Sequence, residues 1–165
     1  MNKESIITEA LSWLGTPYHH EARIKGVGVD CGQFPAAVFE ACGLIPHIEI
    51  EPYTYDWHLH RSEERYLQIV ERFFEQVKAP DGLTCAGMER APDRAGASLK
   101  ARGIHPAPGD LALFRFGRAI SHGAIIIEWP LIIHAYLQAR AVVLDDGTAN
   151  KDLEKRLAGF WRLKQ

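Results

Sequence analysis

The sequence contains few cysteines and no excess of basic residues. Its 165 residues include three cysteines, Cys31, Cys42 and Cys85, an odd number at unrelated spacings. They form neither a CxxC pair nor a disulfide framework, and a reducing compartment is the simpler interpretation. The formal net charge is -2 and no basic stripe is present, so we expect no nucleic-acid partner.

Long apolar runs are also absent. No stretch of about 18 apolar residues predicts a transmembrane helix, and no membrane partner is expected. The first residues, MNKESIITEALSWLG, mix charged and polar side chains with apolar ones, unlike a signal peptide. We therefore expect synthesis in the cytoplasm without a signal peptide. A chain of 165 residues suits one domain with a real core, so we expect a single domain over residues 1–165.

Helical periodicity predicts three helices in the first half of the chain. Apolar residues spaced as in a helix predict the first over about 3–14, and the second runs to about Ala41. The segment RSEERYLQIVERFFEQVK (61–78) predicts the third, with Ser62 as its N-cap. This helix and the proline-, glycine- and aromatic-rich residues around it form an expected insertion over about 45–105.

Short β-branched and aromatic runs replace the helical pattern after PAPGD. The runs DLALFRF, SHGAIIIE, LIIHAY, RAVVLDD and GFWRL are separated by turn residues. They predict a mainly antiparallel sheet of about five strands. Helices first and strands later indicate an α+β fold, with the helices packed on one face of the sheet.

The stretch GVGVDCGQFPAAVFEACG (26–43) places Cys31 at the start of the second helix. A helix N-terminus lowers the pKa of a thiol, which is what a nucleophile needs. Asp30 is predicted to cap the helix. The Pro35 ring conflicts with the carbonyl of Cys31 in a regular helix, so we expect a later start or a distorted first turn. Free cysteines are also common in cores, and both interpretations of Cys31 stay open. Cys42, on the apolar helix face, is predicted to pack in the core.

Two of the eight histidines interrupt apolar strands. His122 lies in SHGAIII and His134 in LIIHAY, and a short EWP connection predicts a hairpin that makes them neighbours. One imidazole would accept a thiol proton while the other orients it. Satisfaction of both rings by local hydrogen bonds is the alternative. The pairs His19-His20 and His58-Leu59-His60 lack the spacing of a zinc site, so no metal is expected.

Taken in chain order, these segments resemble the NlpC/P60 family of papain-like cysteine peptidases. The matching pieces are GTPY, the Asp-Cys box, PGDLALF, SHGAIII and IIHAY. The resemblance implies a papain-like NlpC/P60 fold and a cysteine endopeptidase without metal or organic cofactor. Its substrate would be the peptidoglycan stem peptide, cut between γ-D-glutamate and diaminopimelate or lysine. Cys31 matches the nucleophile, His122 the general base and His134 the orienting residue.

The resemblance also implies substrate-binding roles. Tyr18 matches a tyrosine that helps the oxyanion site, and Asp30 and Ser121 match positions that line the groove and engage the free amine of the stem peptide. The chain departs from the family where Gly32-Gln33 replaces Ser-Gly and Gly123-Ala124 replaces Val-Gly. We expect Gln33 to intrude on the groove or to donate a hydrogen bond there.

The likeness is strongest to the subgroup encoded with phage tails and gene transfer agents. It implies a virion-associated protein that acts on the cell wall, with phage tail-tip proteins as partners. Two alternatives stay open. One keeps the thiol site for an amidase or acyltransferase on another substrate. The other is a non-catalytic structural or peptidoglycan-binding tail component.

Overall fold

The computed structural model describes residues 3–54, 63–78 and 103–165. Four helices and eight strands follow one another along these residues. In chain order they are α1 (Lys3–Leu11), β1 (Arg23–Ile24), β2 (Gly28–Val29), α2 (Gln33–Ala41), α3 (Arg65–Phe73), β3 (Phe74–Gln76), β4 (Leu111–Phe116), β5 (Ala119–Glu128), β6 (Leu131–Tyr136), β7 (Ala141–Asp146), α4 (Lys151–Glu154) and β8 (Leu157–Leu163). No helix in the described part of the chain has the length and apolar character to cross a membrane.

An antiparallel sheet forms the centre of the fold. Its six strands lie in the order β3-β8-β4-β5-β6-β7, and every neighbouring pair is antiparallel. The five strands predicted after PAPGD are confirmed as β4 to β8. A separate two-stranded hairpin, β1–β2, lies within the segment between α1 and α2.

The sixth strand corrects the predicted third helix. The helix ends at Phe73, and Phe74 already has extended backbone, with φ of -121° and ψ of 153°. Phe74 pairs with Leu163 on β8 and packs edge-to-face on Phe39, with ring centroids 4.9 Å apart. Pairing with the edge of the sheet therefore overrides local helical periodicity. The predicted N-cap, Ser62, lies outside the described residues.

The first helix is shorter than predicted, whereas the second has the late start that Pro35 predicted. The first ends at Leu11 rather than near residue 14. The second is regular only from Gln33, two residues after Cys31. Proline at position 35 has no N–H to donate to the carbonyl of Cys31, which explains the late start.

Apolar residues cover both faces of the sheet. Alternation along β4 sends Leu111 and Leu113 to the face that carries α1, α2 and α3. The intervening Ala112 and Phe114 join a second apolar cluster on the opposite face. Leu153 of α4 packs in that second cluster, so helical residues contact both faces rather than the single face expected.

An arginine and an aspartate fasten the sheet at the start of β4. Arg162 on β8 donates from Nε to Oδ1 of Asp110 over 2.9 Å and from a terminal nitrogen to Oδ2 over 2.7 Å. Asp110, only 3% exposed, also accepts from the backbone N–H of Ala107 at 2.7 Å. The carboxylate raises the pKa of Arg162. This two-bond pair holds the turn before β4 against the neighbouring strand.

Removing this carboxylate should destabilise the protein. Asp110→Ala leaves the partly buried guanidinium and the Ala107 N–H without their acceptor, so we expect the free energy of unfolding to fall by about 3 kcal/mol. Urea denaturation measures the change. Asp152→Asn is the control, because Asp152 is 61% exposed and 3.7 Å from Arg156. It should cost less than about 1 kcal/mol. Equal losses in the two variants would contradict the structural role of Asp110.

Candidate active site

The Asp30 side chain binds the backbone N–H groups where the chain enters α2. Its Oδ1 accepts from the backbone N–H of Gly32 at 3.1 Å and of Gln33 at 2.9 Å. Its own carbonyl accepts from Phe34 N–H at 3.0 Å. Asp30 therefore caps the turn that precedes α2. The N-cap of the helix itself is Gly32, two residues later than predicted, and Cys31 lies between them.

The Asp30 carboxylate is buried and surrounded by donors. It is 1% exposed. Its Oδ2 accepts from the Glu21 backbone N–H at 2.7 Å and from the Tyr53 hydroxyl. Nδ1 of His20 lies 3.7 Å from the same oxygen. Burial, and then the Asp30 charge, raise the pKa of Tyr53, so its hydroxyl remains a donor. The carboxylate thus binds the helix entrance to two other segments of the chain.

The thiol of Cys31 is held between a carbonyl and a hydroxyl. It donates to the carbonyl oxygen of Ser121 over 3.6 Å and accepts from the Tyr18 hydroxyl over 3.8 Å. Burial, followed by the Asp30 charge, raises the pKa of Cys31 to about 12. The helix N-terminus was expected to lower this pKa, but desolvation and the adjacent carboxylate outweigh it. Cys31 therefore carries a neutral thiol at physiological pH.

The two strand histidines are direct neighbours. Nε2 of His122 on β5 lies 2.8 Å from Nδ1 of His134 on β6. Both are buried, with His134 completely so. Burial, then the neighbouring His134, lowers the pKa of His122 well below its ordinary value. Burial also lowers the pKa of His134 to about 4, against the opposing effect of Asp145. Both rings are neutral at pH 7, and one must donate to the other.

A cleft of about 590 Å³ connects these groups. Cys31, Ser121 and His122 all line it, with Tyr18 and Asp30 beside them. Part of its wall comes from the predicted insertion, through residues such as Ile50, Tyr53, Tyr66 and Ile69. The sequence-predicted nucleophile and base therefore face one cavity. The described residues contain no group of three or more His, Cys, Asp or Glu side chains placed to hold a metal ion, and His58 and His60 lie outside those residues.

Comparison with known proteins rests on structure. No family model matches the chain, and no curated protein is similar in sequence. Among solved structures, an NLP/P60-family protein from Staphylococcus aureus matches with a TM-score of 0.58 at 17% identity, covering 99% of this chain and 41% of its own. The NlpC/p60 domain of the peptidoglycan hydrolase SagA matches with a TM-score of 0.53 at 16% identity, covering all of both chains.

A third structure has the same fold under a different description. An N-acetylmuramoyl-L-alanine amidase from Bacteroides uniformis matches with a TM-score of 0.59 at 15% identity, covering 99% of both chains. The chain has the NlpC/P60 fold. It spans about two fifths of the length of the staphylococcal protein, and the full length of the SagA domain. TM-scores of 0.53 to 0.59 establish the fold, and at identities of 15 to 17% these structures show nothing beyond the fold.

Gly123, a departure from the usual NlpC/P60 pattern, is explained by a tyrosine from α3. A Cβ atom at position 123 would overlap the hydroxyl oxygen of Tyr66 and lie 3.2 Å from its Cζ. Burial is the main reason that the pKa of Tyr66 is raised, and the Asp30 charge adds to it. The insertion therefore places Tyr66 over Gly123 of β5, where the absence of a side chain leaves room.

Gln33 does not take the place predicted for it. It is 6% exposed and is not among the residues that line the cleft. Its Oε1 accepts from Nε of Arg23 at 2.7 Å, while Arg23 also donates to Glu40 and to the carbonyl of Ile48. The expected intrusion into the groove is wrong, because this arginine binds the glutamine outside it.

The sequence analysis did not identify three residues of the site. Tyr53 and Tyr66 lie in the insertion, where no periodicity shows which side chains return to the cleft. Asp145, near the end of β7, lies 3.4 Å from Nε2 of His134. The sequence does contain a signal for Asp145. Strands β6 and β7 were both predicted, and Val143 of β7 pairs with His134. Asp145 is two residues after Val143 and therefore lies on the same face of the sheet as His134.

The raised pKa of Cys31 predicts its reactivity with iodoacetamide. At pH 7 the thiolate fraction should be below that of an ordinary cysteine, and the alkylation rate should rise about tenfold per pH unit up to at least pH 9. Mass spectrometry of the Cys31 peptide measures this profile, with glutathione in the same sample as the ordinary thiol, because burial also raises the pKa of Cys42. A plateau or inflection below pH 6 would reveal a thiolate–imidazolium pair and contradict the neutral state.

The contact between Tyr66 and position 123 predicts a coupled pair of substitutions. Gly123→Ala should lower the free energy of unfolding by about 2 kcal/mol, because the tyrosine must move. In a Tyr66→Phe background the loss should shrink by about 1 kcal/mol. Gly32→Ala is the matched control, since a Cβ there would lie 3.6 Å from the same tyrosine ring. Additive losses for Gly123→Ala and Tyr66→Phe in urea denaturation would exclude the contact.

Proposed function

We propose that this protein is a cysteine endopeptidase that hydrolyses peptidoglycan stem peptides. The observation that carries the proposal is that Cys31 and His122 line the same cleft, with His134 bound to His122 behind it. The fold shared with the NlpC/p60 domain of a peptidoglycan hydrolase supports the substrate class. In this proposal the whole chain acts as one catalytic domain.

The proposed mechanism is general-base catalysis, in which the thiol turns from the Ser121 carbonyl, its partner in the structure, to His122. Since Nε2 of His122 faces His134, Nδ1 is the nitrogen left for the thiol. As Sγ of Cys31 attacks the amide carbonyl carbon, the thiol proton passes to Nδ1 and the carbonyl oxygen becomes an oxyanion. The Tyr18 hydroxyl, now beside the sulfur, and the Cys31 backbone N–H donate to that oxyanion.

Collapse of the tetrahedral intermediate completes the cycle. His122 returns the proton to the leaving nitrogen, the C–N bond breaks, and a thioester remains on Cys31. A water molecule then attacks the thioester carbonyl and gives its proton to His122. The carbon–sulfur bond breaks, the sulfur recovers that proton, and the carboxylic acid product leaves. His134 orients His122 throughout, because it accepts from Nε2.

The proposed scissile bond joins γ-D-glutamate to diaminopimelate or lysine. Support comes from the acidic side of the cleft, where the buried Asp30 carboxylate lies next to the nucleophile. A carboxylate in that position attracts the free ammonium group of a stem peptide, and Ser121 lines the same part of the cleft. The family resemblance of the Asp-Cys and Ser-His segments supports the same assignment.

The proposed setting is a phage or prophage tail. The protein would be carried in the virion, bound to tail-tip proteins, and would act on the cell wall. The segment that begins at GTPY and ends at the Asp-Cys box resembles the tail-associated subgroup, which supports this proposal.

Digestion of purified peptidoglycan tests the activity and the bond. The protein should release fragments cut after γ-D-glutamate, identified by mass spectrometry of the muropeptides. Cys31→Ala should reduce the rate at least about a thousandfold, because the nucleophile is lost. Cys42→Ala is the matched control, since Cys42 follows α2 and packs against the core. It should retain the wild-type rate.

Other outcomes would assign other functions. Cleavage between the lactyl group and L-alanine would indicate an amidase, which the fold shared with the Bacteroides uniformis amidase favours. Release that survives Cys31→Ala would refute the mechanism. Binding to the cell wall without any cut fragment would indicate a non-catalytic component.

A further inference from the structure

A buried histidine nitrogen faces a carboxylate behind the site. Nε2 of His134 is buried and makes no hydrogen bond within the described residues. Oδ2 of Asp145 lies 3.4 Å from it, at ion-pair distance but long for a hydrogen bond. This carboxylate raises the pKa of His134 against the effect of burial. A movement of about half an ångström would convert the contact into a hydrogen bond.

Donors surround Asp145 on its other sides. Its Oδ1 accepts from the backbone N–H of Asp146 at 2.8 Å, and its Oδ2 accepts from Nδ2 of Asn150 at 2.6 Å. A carboxylate among donors acts only as an acceptor. The group that complements it on the histidine is therefore an N–H at Nε2.

A proton on Nε2 of His134 fixes the direction of the next hydrogen bond. A neutral imidazole carries one N–H, so Nδ1 of His134 is then an acceptor. Its partner 2.8 Å away, Nε2 of His122, must be the donor. His122 then has a lone pair on Nδ1, the nitrogen available to the thiol. The opposite tautomer of His134 would place the His122 proton on Nδ1 and disable the base.

We propose that Asp145 is a positioning residue that selects the tautomer of His134 and, through it, makes Nδ1 of His122 a proton acceptor. Its effect on turnover rests on the proposed peptidase function, whereas its effect on the two tautomers does not. Tyr136 complements it by holding the His134 ring, with stacked planes 16° apart and centroids at 4.7 Å. Stacking fixes the ring plane, and the carboxylate decides which nitrogen carries the proton.

The tautomers can be read directly by nuclear magnetic resonance. In protein labelled with ¹⁵N-histidine at pH 7, long-range proton–nitrogen correlations should show protonated Nε2 on both His134 and His122. Asp145→Asn is the key substitution, combined with Asn150→Ser to remove the amide donor that now binds Oδ2 of Asp145. The backbone N–H of Asp146 then attracts the new amide oxygen, and the amide nitrogen faces His134. Both histidines should shift toward protonated Nδ1.

Two controls separate this effect from a structural one. Asn150→Ser alone keeps a residue suited to cap α4, where Asn150 now accepts from Asp152 N–H at 3.0 Å. Asp146→Asn changes the adjacent carboxylate, which accepts from Thr148 and Ala149 within the following turn. Both controls should retain the wild-type tautomers.

Turnover provides the second arm of the experiment. On the muropeptide substrate, the Asp145→Asn, Asn150→Ser protein should lose about a hundredfold in kcat, with KM changed less than about threefold. Unchanged tautomers in that protein, or shifted tautomers with wild-type kcat, would overturn the proposal. If the wild-type protein cuts no muropeptide, the proposed function fails, while the resonance data still decide the role of Asp145.

Discussion

The buried carboxylate of Asp30 is the constraint on which the site depends. It receives hydrogen bonds from the start of α2, from the backbone at Glu21 and from the hydroxyl of Tyr53. These donors come from three separate segments of the chain, so one charge holds them around Cys31. Loss of its donors would leave a buried charge unpaired, at a cost of several kcal/mol. The same charge also raises the pKa of the thiol it positions.

The histidine pair depends on a different constraint, the register of the central sheet. Antiparallel pairing of β5 with β6 brings His122 and His134 to 2.8 Å. Both rings are buried and neutral, so their hydrogen bond has a direction, and that direction matters for any proton transfer. The site thus has two carboxylates with separate tasks. Asp30 organises the turn that carries Cys31 from the helix side, and Asp145 lies behind the histidines on the sheet side.

Local patterns were sufficient for most of the fold and for the core of the site. The β-branched runs predicted β4 to β8, and the two histidines in neighbouring strands predicted their own contact. What the sequence could not provide depends on long-range contacts. Pairing with β8 converts 74–76 into a strand, and Arg23 removes Gln33 from the cleft. The pKa of Cys31 is set by its burial and by the Asp30 charge. The position of Cys31 near a helix N-terminus does not reveal how deeply the thiol is buried.

The protonated state of Cys31 has a consequence for its chemical durability. Peroxides and other oxidants react with thiolates, and a cysteine with a raised pKa presents few of them. A hydroxyl from Tyr18 and a carbonyl from Ser121 further enclose the sulfur. The resting Cys31 thiol is therefore less susceptible to oxidation to sulfenic acid than a thiolate would be.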